Sequence, residues 1–410
     1  MRRYEGGEVR GPPRGGHFYR DPKVRSHIYL DHNATTPVDP RVREAMQPYL
    51  ETAFGNPSAA HGLGREAKAA LEGARETVAG LLGTADKDEV VFVSSGTEAD
   101  NLAIAGAGLA YQERGRHIIT SAVEHPAILE ACAALEDGGF SVTYLPVSGQ
   151  GMLDLDELRR AVRPDTILVS LMHANNETGT LFPLGEVGAI TKERGILFHT
   201  DAVQSFGKVP LHVRHLNIDL LSLSAHKIYG PKGVATLYVR RGVRLRPLLR
   251  GGEQERGRRG GTENVPAIVG LAHAARIMFL EMPGEGERIR KLRDRLEAGV
   301  LARIEGGAVN AQQSPRLPHT SSLTFDGIEA QTLAAALDLE GIAVSAGSAC
   351  HVGSLQPSHV LRAMGLNLEQ VEGTIRFSLG RLTREGDIDR VLEILPHLVT
   401  RLRAKAPLTR

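Results

Sequence analysis

Seven short apolar runs, separated by helical patterns, constrain the fold of this chain more than any other feature. They are Val90-Val-Phe-Val93, His117-Ile-Ile-Thr-Ser121, Val142-Thr-Tyr-Leu145, Thr166-Ile-Leu-Val-Ser-Leu171, Ile196-Leu-Phe-His-Thr200, Leu220-Leu-Ser-Leu223 and Gly233-Val-Ala-Thr-Leu-Tyr-Val239. They are apolar throughout rather than alternating, as expected of strands covered on both faces. Helical patterns lie between them, for example over 65–82 and 155–162. Repeated strand–helix units imply a mostly parallel sheet in an α/β sandwich.

The pattern changes near Pro283-Gly-Glu-Gly286. A charged helix is expected over 288–301, strands over 320–325 and 342–345, and two further helices to close the chain. This gives a large domain over 38–283 and a smaller α/β domain formed by 27–37 and 284–410. A chain of 410 residues is long enough for both. The first 26 residues are rich in Arg, Gly and Pro and read as a disordered extension or an early start codon. Arg2 and Arg3 form a twin-arginine pair, but no apolar segment follows to make a secretion signal. No stretch reads as apolar and long enough to span a bilayer. The net charge of +1 gives no reason to expect a nucleic-acid or membrane-surface partner. With only two cysteines, Cys132 and Cys350, stability does not rest on disulfides, and a reducing cytoplasm is the natural setting. Cys132 lies on the apolar face of a helical pattern and reads as a buried, inert thiol.

Four polar clusters fall at the carboxyl ends of expected strands, where parallel sheets bind ligands. Ser94-Ser-Gly-Thr-Glu98 leads into a helix and suits a phosphate; an ordinary cap by Ser95 or Thr97 explains it equally well. Glu124-His125-Pro126 offers a ring that can stack or move protons, or simply a turn closed by proline. Asp201, with Gln204 after it, is placed to pair with a protonated ring nitrogen or to cap a helix. Ser224-Ala-His-Lys227 presents a lysine that a ligand-lined site can turn into a Schiff-base former. Together, a lysine and an aspartate on neighbouring strand ends, with a phosphate turn upstream, match the needs of pyridoxal phosphate (PLP). Asn175-Asn-Glu-Thr-Gly179 adds amide donors near the same edge.

Cys350 lies in Ser345-Ala-Gly-Ser-Ala-Cys-His-Val-Gly-Ser354, whose small residues suggest an exposed loop. A lone exposed cysteine there is a candidate nucleophile, against the plainer reading of a small residue at a helix start. Arg376, in Thr374-Ile-Arg-Phe-Ser378, is a cation inside an apolar run. It suits a substrate carboxylate or a structural ion pair.

The chain resembles the cysteine desulfurases of the NifS/IscS type, a branch of the class V aminotransferase superfamily. The resemblance rests on Tyr29-Leu-Asp-His-Asn-Ala-Thr-Thr-Pro37, Phe54-Gly-Asn-Pro-Ser58, Ser95-Gly-Thr-Glu98, Glu124-His125 and Asn175-Asn-Glu-Thr-Gly179. It continues through His199-Thr-Asp-Ala-Val-Gln204, His226-Lys-Ile-Tyr-Gly-Pro-Lys-Gly233, Gly251-Gly-Glu-Gln-Glu255, Gly261-Thr-Glu-Asn264, Gly347-Ser-Ala-Cys350 and Arg376-Phe-Ser378. It implies PLP fold type I, with a mostly parallel seven-stranded sheet, and PLP as cofactor without a metal. It implies Lys227 as the Schiff-base lysine, His125 stacked on the ring and moving protons, and Asp201 on the ring nitrogen. Gln204 and Asn176 would contact the ring-oxygen region. Gly96, Thr97, Ser224 and His226 would hold the phosphate, with Thr262 reaching that of the neighbouring subunit in a homodimer. Arg376, with Asn33 or Asn176, would hold the carboxylate of L-cysteine. Cys350 would take the sulfur as a persulfide, release alanine, and pass the sulfur to an acceptor, an iron–sulfur scaffold protein or a thio-modification partner. His351 departs from the Ser or Thr common after this cysteine and matches selenocysteine lyases of the superfamily, so selenocysteine lyase, or another class V activity, is the alternative.

Overall fold

The computed structural model describes residues 27–84, 86–346 and 357–404. The amino-terminal extension and Cys350 lie outside the described residues. In chain order the strands are β1 Ile28–Tyr29, β2 Val90–Val93, β3 His117–Ser121, β4 Ser141–Leu145, β5 Thr166–Ser170, β6 Leu197–Asp201, β7 Leu220–Ser224 and β8 Ala235–Val239. They continue with β9 Gly307–Val309, β10 Thr320–Phe325, β11 Ile342–Ala343, β12 Ser345–Ala346 and β13 Thr374–Ser378.

Each of the seven apolar runs becomes a strand of one sheet, ordered β2-β8-β7-β6-β5-β3-β4. Pairing is parallel from β7 to β4. Only β8 runs against its neighbours β2 and β7. Why the runs do not alternate is visible in the core. Phe92, Ile119, Val169 and Phe198 feed the apolar cluster on one face, and Val91, Ile118, Leu168 and Leu220 feed the cluster on the other. At the edge, β4 has water on one side and carries Ser141, Thr143 and Tyr144 accordingly.

The opposite edge, β2, is wholly buried and has been closed with charge. Arg75 donates to Val90 O at 2.8 Å, and Phe92 N donates to Glu255 Oε2 at 3.0 Å. Arg75 and Glu255 in turn form a two-pronged ion pair at 2.7 and 2.8 Å. The free ladder groups of the edge are therefore satisfied by side chains rather than by a further strand.

A second, antiparallel sheet, β12-β13-β10-β9, covers a separate apolar cluster that includes Leu323, Phe325, Ile375 and Phe377. Parallel pairing of β1 with β11 ties the amino-terminal segment to this second unit. Three features differ from expectation. The break expected near residue 283 is absent: one helix runs from Val265 to Arg303 with Pro283 inside it. Its first half packs Ile268, Leu271 and Ala275 into the large core, and its second half packs Leu292, Leu296 and Val300 into the small one. Burial at both ends outweighs the hydrogen bond that Pro283 removes. This helix also contains a stretch long and apolar enough to cross a bilayer, contrary to the sequence reading. More than half of that stretch is buried inside the protein, as in the core helix of a globular fold. Finally, the chain closes with three helices, His359–Ala363, Leu368–Glu372 and Glu385–Arg403, with β13 between the last two.

Candidate active site

The parallel strands all end on the same edge of the large sheet, and their carboxyl ends form a cleft with a cavity volume of about 320 Å³. That is enough for a small organic ligand. Its walls include Gly96, Thr97, His125, Asn176, Asp201, Gln204, Ser224, His226 and Lys227, with Asn33 and Arg376 arriving from the other unit. Eleven of the thirteen residues expected from the sequence thus meet in one place. Thr262 is exposed, just before the long helix, and does not line the cleft. Cys350 lies outside the described residues.

Lys227 ends a short 3₁₀ turn, Ala225–Lys227, that follows β7 directly. Its Nζ donates to Asn33 O at 2.5 Å and to Ala34 O at 2.7 Å. Asp201 is the last residue of β6 rather than the first after it. Its Oδ1 accepts from Val203 N at 2.8 Å. Burial pushes the Asp201 carboxyl up to about 6, against the opposing pull of the Val203 N–H and of Lys227. Beside it stands Asp100, a residue with no motif to mark it. It is fully enclosed, and burial and the Asp201 charge raise its carboxyl well above the ordinary range. Two buried carboxyls this close cannot both be charged; Asp100 keeps the proton and Asp201 the charge.

The Ser95–Thr97 turn opens a helix with Ser95 as its cap, the Ser95 side chain accepting from Glu98 N at 3.0 Å. The cap reading is therefore met, and it leaves Gly96 and Thr97 on the cleft wall, where a phosphate could be held. A Cβ at Gly96 would lie 3.0 Å from Val203 Cγ2, so backbone can approach a ligand here where a side chain would crowd. Glu98 is held by Arg259 Nε at 2.9 Å, which neutralises a carboxylate close to an anion site.

His125 precedes Pro126, the first residue of the helix Pro126–Asp137, and its Nδ1 accepts from Ala127 N at 3.1 Å. The proline fixes the helix start and so aims the ring into the cleft. Glu124 beside it is buried: Oε1 accepts from Ser121 Oγ at 2.6 Å, and Met172 N donates at 3.0 Å. Asn175 spends its side chain inside its own loop, donating to Val123 O and accepting from Glu177 N and Thr178 N. Asn176 is the amide that faces the cleft. His226 is held well below its usual range, at about 4, by burial and then by Lys227 and Lys232.

Arg376 forms the structural ion pair that the sequence allowed, and it also lines the cleft. Nη2 donates to Asp31 Oδ1 at 2.9 Å and Nη1 to Asn176 O at 3.0 Å, while Nε is buried with no hydrogen-bond partner among the described residues. A guanidinium on a cleft wall is the kind of group that pairs with a carboxylate.

The residues fit PLP on this geometry: a lysine, a charged aspartate, an aromatic ring, a glycine-bearing helix start and hydroxyl donors share one cleft of suitable size. Lys227 would hold the aldehyde carbon, Asp201 the ring nitrogen, and Gly96, Thr97, Ser224 and His226 the phosphate.

Comparison with known proteins agrees. The profile of the aminotransferase class-V family matches residues 28–391. A cysteine desulfurase of Trichormus azollae is 55% identical over 382 residues, covering 93% of this chain and 95% of that protein. The cysteine desulfurase IscS of Dictyoglomus turgidum is 48% identical over 384 residues, covering 94% and 97%. Among solved structures, a NifS-like protein superposes with a TM-score of 0.86 at 40% identity, covering 92% of this chain and all of that one.

Proposed function

Since this chain belongs to the aminotransferase class-V family and is a PLP-dependent cysteine desulfurase of the NifS/IscS type, we propose that the cleft at Lys227 binds cofactor and L-cysteine together and that Cys350 receives the sulfur. The observation that carries the site assignment is the meeting of Lys227, Asp201, His125 and the Gly96–Thr97 turn on one wall with Arg376 on the other. Bound PLP supplies an electron sink that takes up the pair left when the substrate Cα loses its proton.

The chain's residues do the rest. Arg376, on the cleft wall, orients the substrate carboxylate, with Asn33 and Asn176 as neighbours. Lys227, on the cleft wall, would take the Cα proton as general base. Asp201 would hold the proton on the ring nitrogen. His125 would stack on the ring and return a proton to the departing carbon skeleton. Cys350, as thiolate, attacks the substrate sulfur; the C–S bond breaks with its electron pair going to carbon, and protonation there yields alanine. The persulfide left on Cys350 passes to an acceptor thiol, for which iron–sulfur cluster assembly is the natural destination. Thr262, exposed outside the cleft, reaches the phosphate site of a second copy in a homodimer, and the enzyme works in the reducing cytoplasm.

The decisive experiment is mass spectrometry of the purified protein after incubation with cysteine and, separately, with selenocysteine. One added sulfur on the Cys350 peptide, absent in Cys350→Ala, is the expected result. Alanine release from selenocysteine alone would instead make the chain a selenocysteine lyase, the reading that His351 favours.

A further inference from the structure

Lys208 follows the turn that carries Gln204 and takes its amine to the wall behind the cleft, where the reaction above has no use for it. Its Nζ lies 3.5 Å from Gln204 Oε1 and 3.3 Å from His319 Nε2. Neither partner is a carboxylate, an unusual setting for an enclosed lysine.

Asn33 decides what Lys208 can be. Asn33 Nδ2 donates to Asn176 O and to Thr320 Oγ1, both at 3.0 Å, so its Oδ1 is the acceptor. Oδ1 meets His319 Nε2 at 2.9 Å, which puts the ring proton on Nε2. Lys208 therefore faces an N–H rather than a lone pair. An ammonium group there would set donor against donor. A neutral amine offers its lone pair to that N–H and still has protons for Gln204 Oε1. The same contact fixes Gln204: with Oε1 toward Lys208, Nε2 donates to Asn33 O at 3.0 Å and keeps its second N–H for the cleft that Gln204 lines.

We propose that Lys208 is a positioning residue that acts as a neutral amine, locking the Gln204 amide with its N–H toward the cofactor's ring oxygen and steadying Asn33 against Lys227. This rests on the assignment of the cofactor to Lys227.

The surroundings favour the neutral form. Lys227 and Arg376 bring positive charge from the cleft, and Arg293 adds its charge behind His319. His32, His319 and Glu285 line the small cavity that Lys208 shares, among the apolar surfaces of Tyr229, Met278 and Ile289. Enclosure first, and then the Lys227 and Arg376 charges, bring the amine down to about 7. As pH falls through that value the amine gains a proton and loses the lone pair it offered to His319 Nε2–H; the bond to Gln204 Oε1 remains, but donor now meets donor at His319 and the His319–Asn33 contact is disturbed.

The test follows the visible absorption of the bound cofactor in the holoenzyme, without substrate, from about pH 6 to about pH 9. Wild type is expected to show an acid-side change in the band that Lys208→Met lacks. Lys208→Met is also expected to bind cofactor roughly threefold to tenfold more weakly, the effect of one lost hydrogen bond. Lys208→Arg, a permanent cation of similar reach, is expected to hold the wild type's acid-side band at every pH, and it reads the same point if Lys208→Met does not accumulate. Adding Lys208→Met to Gln204→Ala is expected to weaken cofactor binding little further. Variants with the wild-type band, affinity and acid-side change overturn the proposal, as does a Lys208→Met that only lowers the melting temperature. A wild type without the cofactor band, or a Lys227→Ala that keeps it, overturns the site assignment instead.

Discussion

Replacing Glu255 with alanine removes the common partner of a buried cation and a sheet edge. The Arg75 and Glu255 side chains are 2% and 1% exposed. Breaking such a pair costs about 3–5 kcal/mol where the charge is left stranded; Arg75 keeps Glu72 Oε1 at 3.2 Å from its Nε, so the lower end, about 3 kcal/mol, applies. Phe92 N loses its acceptor as well, for about 1–3 kcal/mol. Glu255 sits at φ 48°, a left-handed conformation that alanine tolerates no better, so no strain is relieved. The total is roughly 5 kcal/mol. With an unfolding entropy of about 2.1 cal/mol/K per residue over 410 residues, this lowers the melting temperature by about 6 °C. Calorimetry on the holoenzyme measures it. Gel filtration beside it reads the proposed homodimer, because the same loop leads to Thr262. Removing both charges, as Arg75→Met with Glu255→Leu, is expected to recover much of the loss, leaving the Val90 O and Phe92 N groups unmet. A Glu255→Ala protein melting within about 1 °C of wild type, or a double variant showing the sum of the two single losses, refutes the reasoning.

The other predictions concern the cleft. Asp100→Asn is expected to keep the cofactor band and melt within about 2 °C of wild type, because Asp100 is already protonated, whereas Asp201→Asn is expected to lose the band. Arg376→Lys keeps the charge but not the fork that holds Asp31 and Asn176 O; kcat/KM for cysteine is expected to fall on the order of tenfold to a hundredfold, mainly through KM. Burial raises Glu124 from 4.5 to about 8. The folded protein therefore keeps a proton that the unfolded chain gives up, and stability from this group declines as pH rises between those values. Glu124→Gln is accordingly expected to gain in melting temperature relative to wild type as pH goes from about 5 to about 8; a constant difference across that range would show that Glu124 is not the group responsible.

What could be read in the sequence and what could not divide along a physical line. The strands were legible because a sheet covered on both faces needs apolar residues at every position, as Val90–Val93 and Thr166–Ser170 show. Lys227, Asp201 and His125 were legible as cleft residues because the cleft forms where the strands stop, and the stop is a local signal. The residues that hold them in place gave no such signal. Asp31 and Arg376 are 345 positions apart, Asn33 and His319 are 286 apart, and Arg75 and Glu255 are 180 apart. The helix through Pro283 was misread for the same reason: its local composition says stop, and only the two cores at its ends say continue. Asn33 carries the consequence furthest. From a segment paired with β11, it accepts from Lys227 and Gln204, donates to Asn176 O, and meets His319. The amine of Lys227 is therefore oriented only when the amino-terminal segment has docked on both units. A chain that folded its large sheet alone would present the lysine, the aspartate and the phosphate turn, but not the geometry that aims them.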